Sequence, residues 1–291
     1  MGGNLGITMR RRSGFISRSI AVAAFAAFGG LSFAPARAAG PRIVSMNVCT
    51  DQLVIALADP EQILGLSRFS RDASWTADGA RRYPILSGGA EDILVLKPDI
   101  VLASLFDKRS TRELLKAHGV HVVEFAVPQN LDESKIQIRE MGEIVGHPDR
   151  ATREIARLDA ALARARQAVA EKHYRVLPLS RRGWVAGSDS FVSSLLGETG
   201  LFNAAGDLGF GTGGFASLEA IVNVKPDFLL VSQAGDDARD DGQAFLLHPA
   251  LARFYPPTKR IVIPERMTEC GGVLLAQALD ALVAELKRVE R

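Results

Sequence analysis

Chemistry in this sequence starts with two cysteines: Cys49 in Asn47-Val-Cys-Thr-Asp51, and Cys270 in Arg266-Met-Thr-Glu-Cys-Gly-Gly272. A thiolate is a nucleophile and a soft metal ligand, and two thiols in an oxidising compartment can pair. Three readings are open: a disulfide between distant segments, two thiols that touch or ligate a cargo, or two unrelated buried residues. A catalytic thiol needs a base within hydrogen-bond reach. None of the five histidines stands beside a recognisable partner for Cys49. A thiol-dependent cleft enzyme is therefore the alternative, and a protein that does no chemistry is the expectation.

Other motifs fail on spacing or context. Gly209-x-Gly211-x-x-Gly214 matches a dinucleotide fingerprint on paper, but it follows a loop where that fingerprint requires a strand. The acidic run at 236–242 puts Arg239 at a calcium-ligand position and His248 where the bidentate Glu belongs. His118 and His121 straddle a turn at Gly119 and need not share a helical face. Gly187-Ser-Asp-Ser-Phe191 lacks the second glycine of a nucleophile elbow. Neither a catalytic residue, a metal site nor a cofactor is expected.

The elements that position these residues begin after a leader. Residues 1–38 contain a basic stretch, a short apolar run and Ala36-Arg37-Ala38, the three parts of a cleavable export signal. That run is too short to span a bilayer comfortably. Five of the 35 Lys and Arg residues and none of the 33 acids lie there, so the remainder carries 30 basic groups against 33 acidic ones. In a mildly acidic mature chain nothing suggests nucleic-acid binding. Hydrophobic residues make up 47% of the chain, enough for a substantial core.

Short apolar runs at 42–46, 63–67, 99–104 and 120–126 alternate with helical segments, which implies a parallel sheet over 41–130. From 131 to 172 strand signals vanish, and helices rich in Ala, Arg and Glu are interrupted only at Gly146-His147-Pro148. The second helix spans roughly 25 residues, a rod of nearly 40 Å. Alternation resumes over 173–291, with strands expected at 182–187, 227–232 and 260–264.

One stretch occurs twice. Glu91-Asp-Ile-Leu-Val-Leu-Lys-Pro-Asp-Ile-Val-Leu-Ala-Ser104 returns as Glu219-Ala-Ile-Val-Asn-Val-Lys-Pro-Asp-Phe-Leu-Leu-Val-Ser232, with seven of fourteen positions identical. In both copies Glu begins a short helix, Lys-Pro-Asp ends it, and an apolar strand follows. Two similar α/β lobes joined by one long helix explain the repetition. Ligands of parallel sheets gather beyond the carboxyl ends of the strands, so a cleft is expected between the lobes.

With these features the mature chain resembles the periplasmic substrate-binding proteins of ABC importers, in the class that captures cobalamin, ferric siderophores and haem. The resemblance rests on the opening strand, both Glu…Lys-Pro-Asp segments, the rod and the C-terminal helix. It implies two Rossmann-like lobes and a monomer in the periplasm that hands a metal chelate to an inner-membrane permease. It also implies that Glu91 and Glu219 dock onto that permease. The plainer reading of both is charge complementarity at a helix N-terminus, and the two roles are compatible. Candidate ligand contacts are Asn47, Cys49, Phe69, Arg71, Trp75, Phe106, Lys108, Ser188, Gln233, Arg266 and Cys270. Arg68 shares the Phe69 loop and could meet an anionic ligand, and Trp184 is a further candidate, although its position within a strand favours the core. Another small ligand on the same scaffold is the runner-up within this class.

Overall fold

In the computed structural model, residues 40–72, 78–232 and 241–291 are described. The first sheet is parallel: β1 (Ile43–Ser45), β2 (Ile63–Gly65), β3 (Ile100–Ser104) and β4 (His121–Phe125), in the order β2-β1-β3-β4. Helix α1 (Val48–Leu57) links β1 to β2, α2 (Ala90–Val95) precedes β3, and α3 (Arg109–Ala117) links β3 to β4. Every residue of β1 is buried, and all but the first of β3. Helices covering both faces of a parallel sheet require this, and it explains why these strands read as unbroken apolar runs.

The second sheet consists of β5 (Arg175–Pro178), β7 (Phe202–Asn203), β9 (Phe228–Val231) and β10 (Arg260–Val262). Its order is β10-β9-β5-β7, the first sheet's order with β5 in the place of β1 and β9 in that of β3. Two short strands, β6 (Trp184–Ala186) and β8 (Gly213–Phe215), form a separate antiparallel ribbon. Helices α6 (Phe191–Thr199), α7 (Leu218–Val224), α8 (Asp241–Ala244) and α9 (Pro249–Phe254) complete this half. The strand expected at 182–187 therefore belongs to the ribbon, and the central strand lies one segment earlier. Arg-Val-Leu-Pro offers only two apolar residues between a charge and a proline, too few for periodicity to register.

Side-chain geometry accounts for the duplicated stretch. At the start of β1, the Arg42 guanidinium donates to the carbonyls of Leu96 and Lys97 at the end of α2, while its backbone N–H donates to Asp99 at 2.7 Å. At the start of β5, Arg175 donates to the carbonyls of Val224 and Lys225, and its N–H donates to Asp227 at 2.8 Å. Each arginine thus satisfies carbonyls that a helix end leaves orphaned. Each aspartate fixes the register of the next strand. Lys97 and Lys225 leave their helices with φ of 48° and 51°, in the left-handed region. The proline that follows each lysine disfavours continuation as α-helix.

Helix α4 (Leu131–Val145) is capped by Asn130, which accepts from the Glu133 N–H, and ends at Gly146 with φ of 77°. Pro148 opens α5 (Pro148–Val169), whose 22 residues make a rod of about 33 Å. It is shorter than expected because Ala170 and Glu171 leave helical geometry. Leu158, Ala161, Leu162, Ala165 and Val169 form its buried stripe. Leu158 to Ala165 pack with Leu275 and Leu279 of the final helix, α10 (Leu275–Val289). Arg164 pairs with Asp280 across that contact.

Candidate functional site

The cleft wall of the first lobe is built at the carboxyl ends of β1, β2 and β3. Residues 67–71 follow β2 and alternate in environment: Ser67 and Ser70 are buried, whereas Arg68, Phe69 and Arg71 are exposed. The Arg68 guanidinium lies over the Phe69 ring, 5.0 Å from its centre, a favourable cation–π contact. Beyond β3, Phe106 is 82% exposed, far more than folding alone would favour for so large an apolar ring. Phe69, Phe106 and Lys108 line one small pocket with Met46, Arg68, Ser87, Gly88 and Asp107, a space of about 110 Å³. Burial raises the Asp107 carboxyl above its usual range, against the opposing effect of the Ser104 N–H that donates to it at 2.7 Å.

An adjoining pocket of about 180 Å³ lies where the two lobes meet. Asn47, which caps α1 by accepting from the Cys49 N–H at 2.9 Å, lines it together with Thr50, Ser104, Val127, Pro128, Gln137 and Glu269. Cys49 and Cys270 lie on its wall, joined as a disulfide with Cα atoms 5.0 Å apart. Of the three readings open for the cysteines, the structure adopts the bond. Neither sulfur is a free thiol, which removes the thiol nucleophile and the thiol ligands alike.

The seam beside the bond is tight. A Cβ at Gly271 would stand 2.7 Å from Pro128 and 3.1 Å from Phe191, and its φ of 57° is left-handed, so only glycine fits without strain. Gln52 of α1 donates to the Arg266 carbonyl at 3.1 Å.

Asn47, Cys49, Phe69, Phe106, Lys108 and Cys270 are thus gathered at two adjoining pockets. Three other candidates are not. Arg71 lies on the exposed side of its turn, and Arg266 is held at the seam through its carbonyl. Ser188 sits in an exposed loop whose N–H donates to the Phe210 carbonyl. Trp75 and Gln233 lie outside the described residues. Trp184 is 38% exposed and packs edge-on against Phe215 at 5.1 Å, so it is not a core residue. The ribbon β6–β8 carries both rings beyond the end of β5, outside the sheet that would have buried them.

Glu91 and Glu219 are exposed in the first turns of α2 and α7. Hydrogen bonding from its own N–H and from Ser217 holds the Glu219 carboxyl below its usual range. Helix-terminus complementarity is therefore real for Glu219. Sequence reasoning missed Met46, Ser104, Asp107, Gln137 and Glu269, which line the pockets. It also missed Asp51, which lies beneath the Phe69 loop. The alternation Ser67-Arg-Phe-Ser70 was the signal available for that loop. A wider pocket, about 640 Å³, lies at the other end of the second sheet, lined by Tyr174, Lys225, Phe254, Tyr255 and Lys259 among others.

Comparison with known proteins decides the family. The profile of the periplasmic binding protein family matches residues 43–259. The chain belongs to that family. Among curated relatives, a cobalamin-binding protein of Halobacterium salinarum is 26% identical over 206 residues, covering 67% of this chain and 54% of its own length. This periplasmic binding protein thus spans about half the length of the curated relatives it matches.

Among solved structures it is similar to the periplasmic heme-binding protein RhuT from Roseiflexus sp. RS-1, with 26% identity and a TM-score of 0.70. That match covers 87% of this chain and 100% of RhuT. It shares its fold with the heme-binding protein BhuT (23% identity, TM-score 0.70, covering 86% and 99%). The same holds for the vitamin B12 binding protein BtuF of Vibrio cholerae (16% identity, TM-score 0.64, covering 87% and 99%). The two-lobed α/β architecture is common to all three.

Proposed function

We propose that this periplasmic binding protein captures a metal chelate of the haem, cobalamin or ferric-siderophore class in the cleft between its lobes. It then delivers that cargo to an ABC permease and does no chemistry on it. The observation that carries this reading is the cleft itself: an exposed aromatic and cationic wall at the carboxyl ends of one parallel sheet, with a second sheet of the same strand order bonded across from it. Phe69 and Phe106 suit a flat or bulky apolar body, while Arg68 and Lys108 suit its anionic or polar groups. Neither pocket alone has the volume of a macrocyclic chelate, so the cargo lies across both. The names of its relatives support the same class, since heme-binding and cobalamin-binding proteins share the scaffold.

The remaining roles follow from this reading. Residues 1–38 act as the export signal, the mature protein works as a periplasmic monomer, and Glu91 and Glu219 meet cationic groups of the permease. Among the described residues no helix is long and apolar enough to cross a membrane.

A calorimetric and thermal-shift panel with cyanocobalamin, haemin and ferrichrome tests the proposal. Ligand at a hundred times its dissociation constant adds about 2.7 kcal/mol of stability. A clear rise in melting temperature with one chelate supports the reading, and no rise with any of the three overturns the cargo class. Glu91→Ala/Glu219→Ala should abolish uptake while leaving binding intact; uptake at the wild-type rate would remove the docking role.

A further inference from the structure

We infer that Asp51, although it touches no ligand, is the positioning residue for the aromatic and cationic wall of the cleft, and that its ionised carboxylate sets the affinity of the site. The inference rests on the cleft being the binding site.

Asp51 lies in the first turn of α1 and is fully buried. Its carboxylate accepts from the Ser67 N–H at 3.1 Å, from the Ser67 hydroxyl at 2.5 Å and from the Ser70 hydroxyl at 2.7 Å. Ser67 and Ser70 bracket Arg68 and Phe69, the two residues that form the wall. The segment is therefore pinned from below at both ends, with its two exposed side chains held between the pins. An ionised carboxylate only accepts, so it orients every donor around it, and charge-assisted bonds are roughly twice as strong as neutral ones. A protonated or amide group at this position turns part of itself into a donor and loosens the pins.

The carboxyl pays for its place. Burial pushes its pKa up to about 6, against the lowering effect of Ser45, Ser67 and Ser70. Among the neighbouring elements, β1 offers Ser45, and the buried face of α4 offers Ile138 and Met141, none of them titratable. Charged groups nearby are Arg68, Arg71 and Asp72 on the same segment, and Arg81 and Arg82 on the turn packed against it. Asp107 stands beyond β3, and Glu265, Arg266 and Glu269 precede α10. Burial also raises the carboxyls of Asp107 and Glu265. A comparison with Asp51→Asn is what separates Asp51 from these.

Two measurements on the mature protein test the inference. In the absence of ligand, amide hydrogen exchange over residues 66–72 should be about tenfold faster in Asp51→Asn than in wild type at pH 7.5. With whichever of cyanocobalamin, haemin or ferrichrome binds wild type, Asp51→Asn should bind about tenfold more weakly at pH 7.5. Wild-type affinity should fall as pH drops through about 6, and that step should be missing from the variant. Unchanged exchange overturns the anchor, whatever ligands bind. Faster exchange with unchanged affinity and an unchanged pH profile overturns its role in binding. If none of the three probes binds wild type, the cargo class fails, and the exchange measurement still decides whether Asp51 holds the wall.

Discussion

Reduction of the Cys49–Cys270 bond is expected to lower the melting temperature by about 10–20 °C. The bond joins residues separated by 221 positions, nearly the whole described chain. In the loop-entropy model, closing a loop of that length restrains the unfolded state by about 5 kcal/mol. For a domain of this size each kcal/mol corresponds to roughly 2–4 °C. The assay is calorimetry of oxidised protein, reduced protein and the Cys49→Ser/Cys270→Ser variant, each without ligand. The two bond-free forms should melt together and well below the oxidised form. Chemical denaturation should show the same loss through a lower midpoint. A difference under about 3 °C would refute the reasoning. It would mean that the seam of Gly271 on Pro128 and Gln52 on the Arg266 carbonyl holds the lobes alone, and that the unfolded chain gains little freedom.

Asp51 should give stability an unusual slope with pH. Its folded pKa, about 6, lies above the 3.8 of an unperturbed aspartate, so the native state holds the proton more tightly. Its contribution is full below the unfolded pKa and is lost as pH rises through 6, a difference of about 3 kcal/mol. Wild-type stability should therefore fall between pH 4.5 and 7.5, a slope that Asp51→Asn should lack, and urea titrations at the two pH values check this. Lys97→Gly and Lys225→Gly relieve left-handed backbone at φ of 48° and 51° and should each raise stability by about 0.5–1 kcal/mol, read from denaturation midpoints. Phe106→Ala removes a ring that is 82% exposed. Its melting temperature should stay within about 1 °C while affinity for the bound chelate falls at least tenfold; a normal affinity would remove Phe106 from the site.

The sequence revealed what local chemistry determines and hid what assembly determines. The runs around Ile43, Ile63 and Ile100 are largely buried, so composition alone marked them as strands, and the half-buried run around Val122 was apolar enough to read the same way. Asn130 and Gly146 punctuate α4 by capping rules that hold in any protein. Strand β5 escaped because its partners on both sides supply the burial that its own four residues do not advertise. Trp184 misled for the converse reason: an antiparallel ribbon left a large ring exposed where a sheet would have buried it. Asp51 was visible only as the last residue of the Cys49 segment. Its partners lie sixteen and nineteen positions away, and nothing in the spacing says that a carboxylate there would be buried.

The duplicated stretch was legible as a repetition, yet its cause lies outside it. Seven identities in fourteen residues invite a search for function within the fourteen, and the docking proposed for the two glutamates is one answer. The lysine-proline-aspartate that ends the helix in each copy answers to Arg42 and Arg175, which lie well before it in the chain. An arginine at the start of a central strand caps the helix that arrives beside it, and the aspartate accepts from the arginine's backbone N–H. A unit of strand, helix and next strand locked by two side chains brings its own register with it. Two such units account for two sheets of the same order. They also leave the loops at the carboxyl ends, where Phe69 and Phe106 stand, free to take whatever shape the cargo requires.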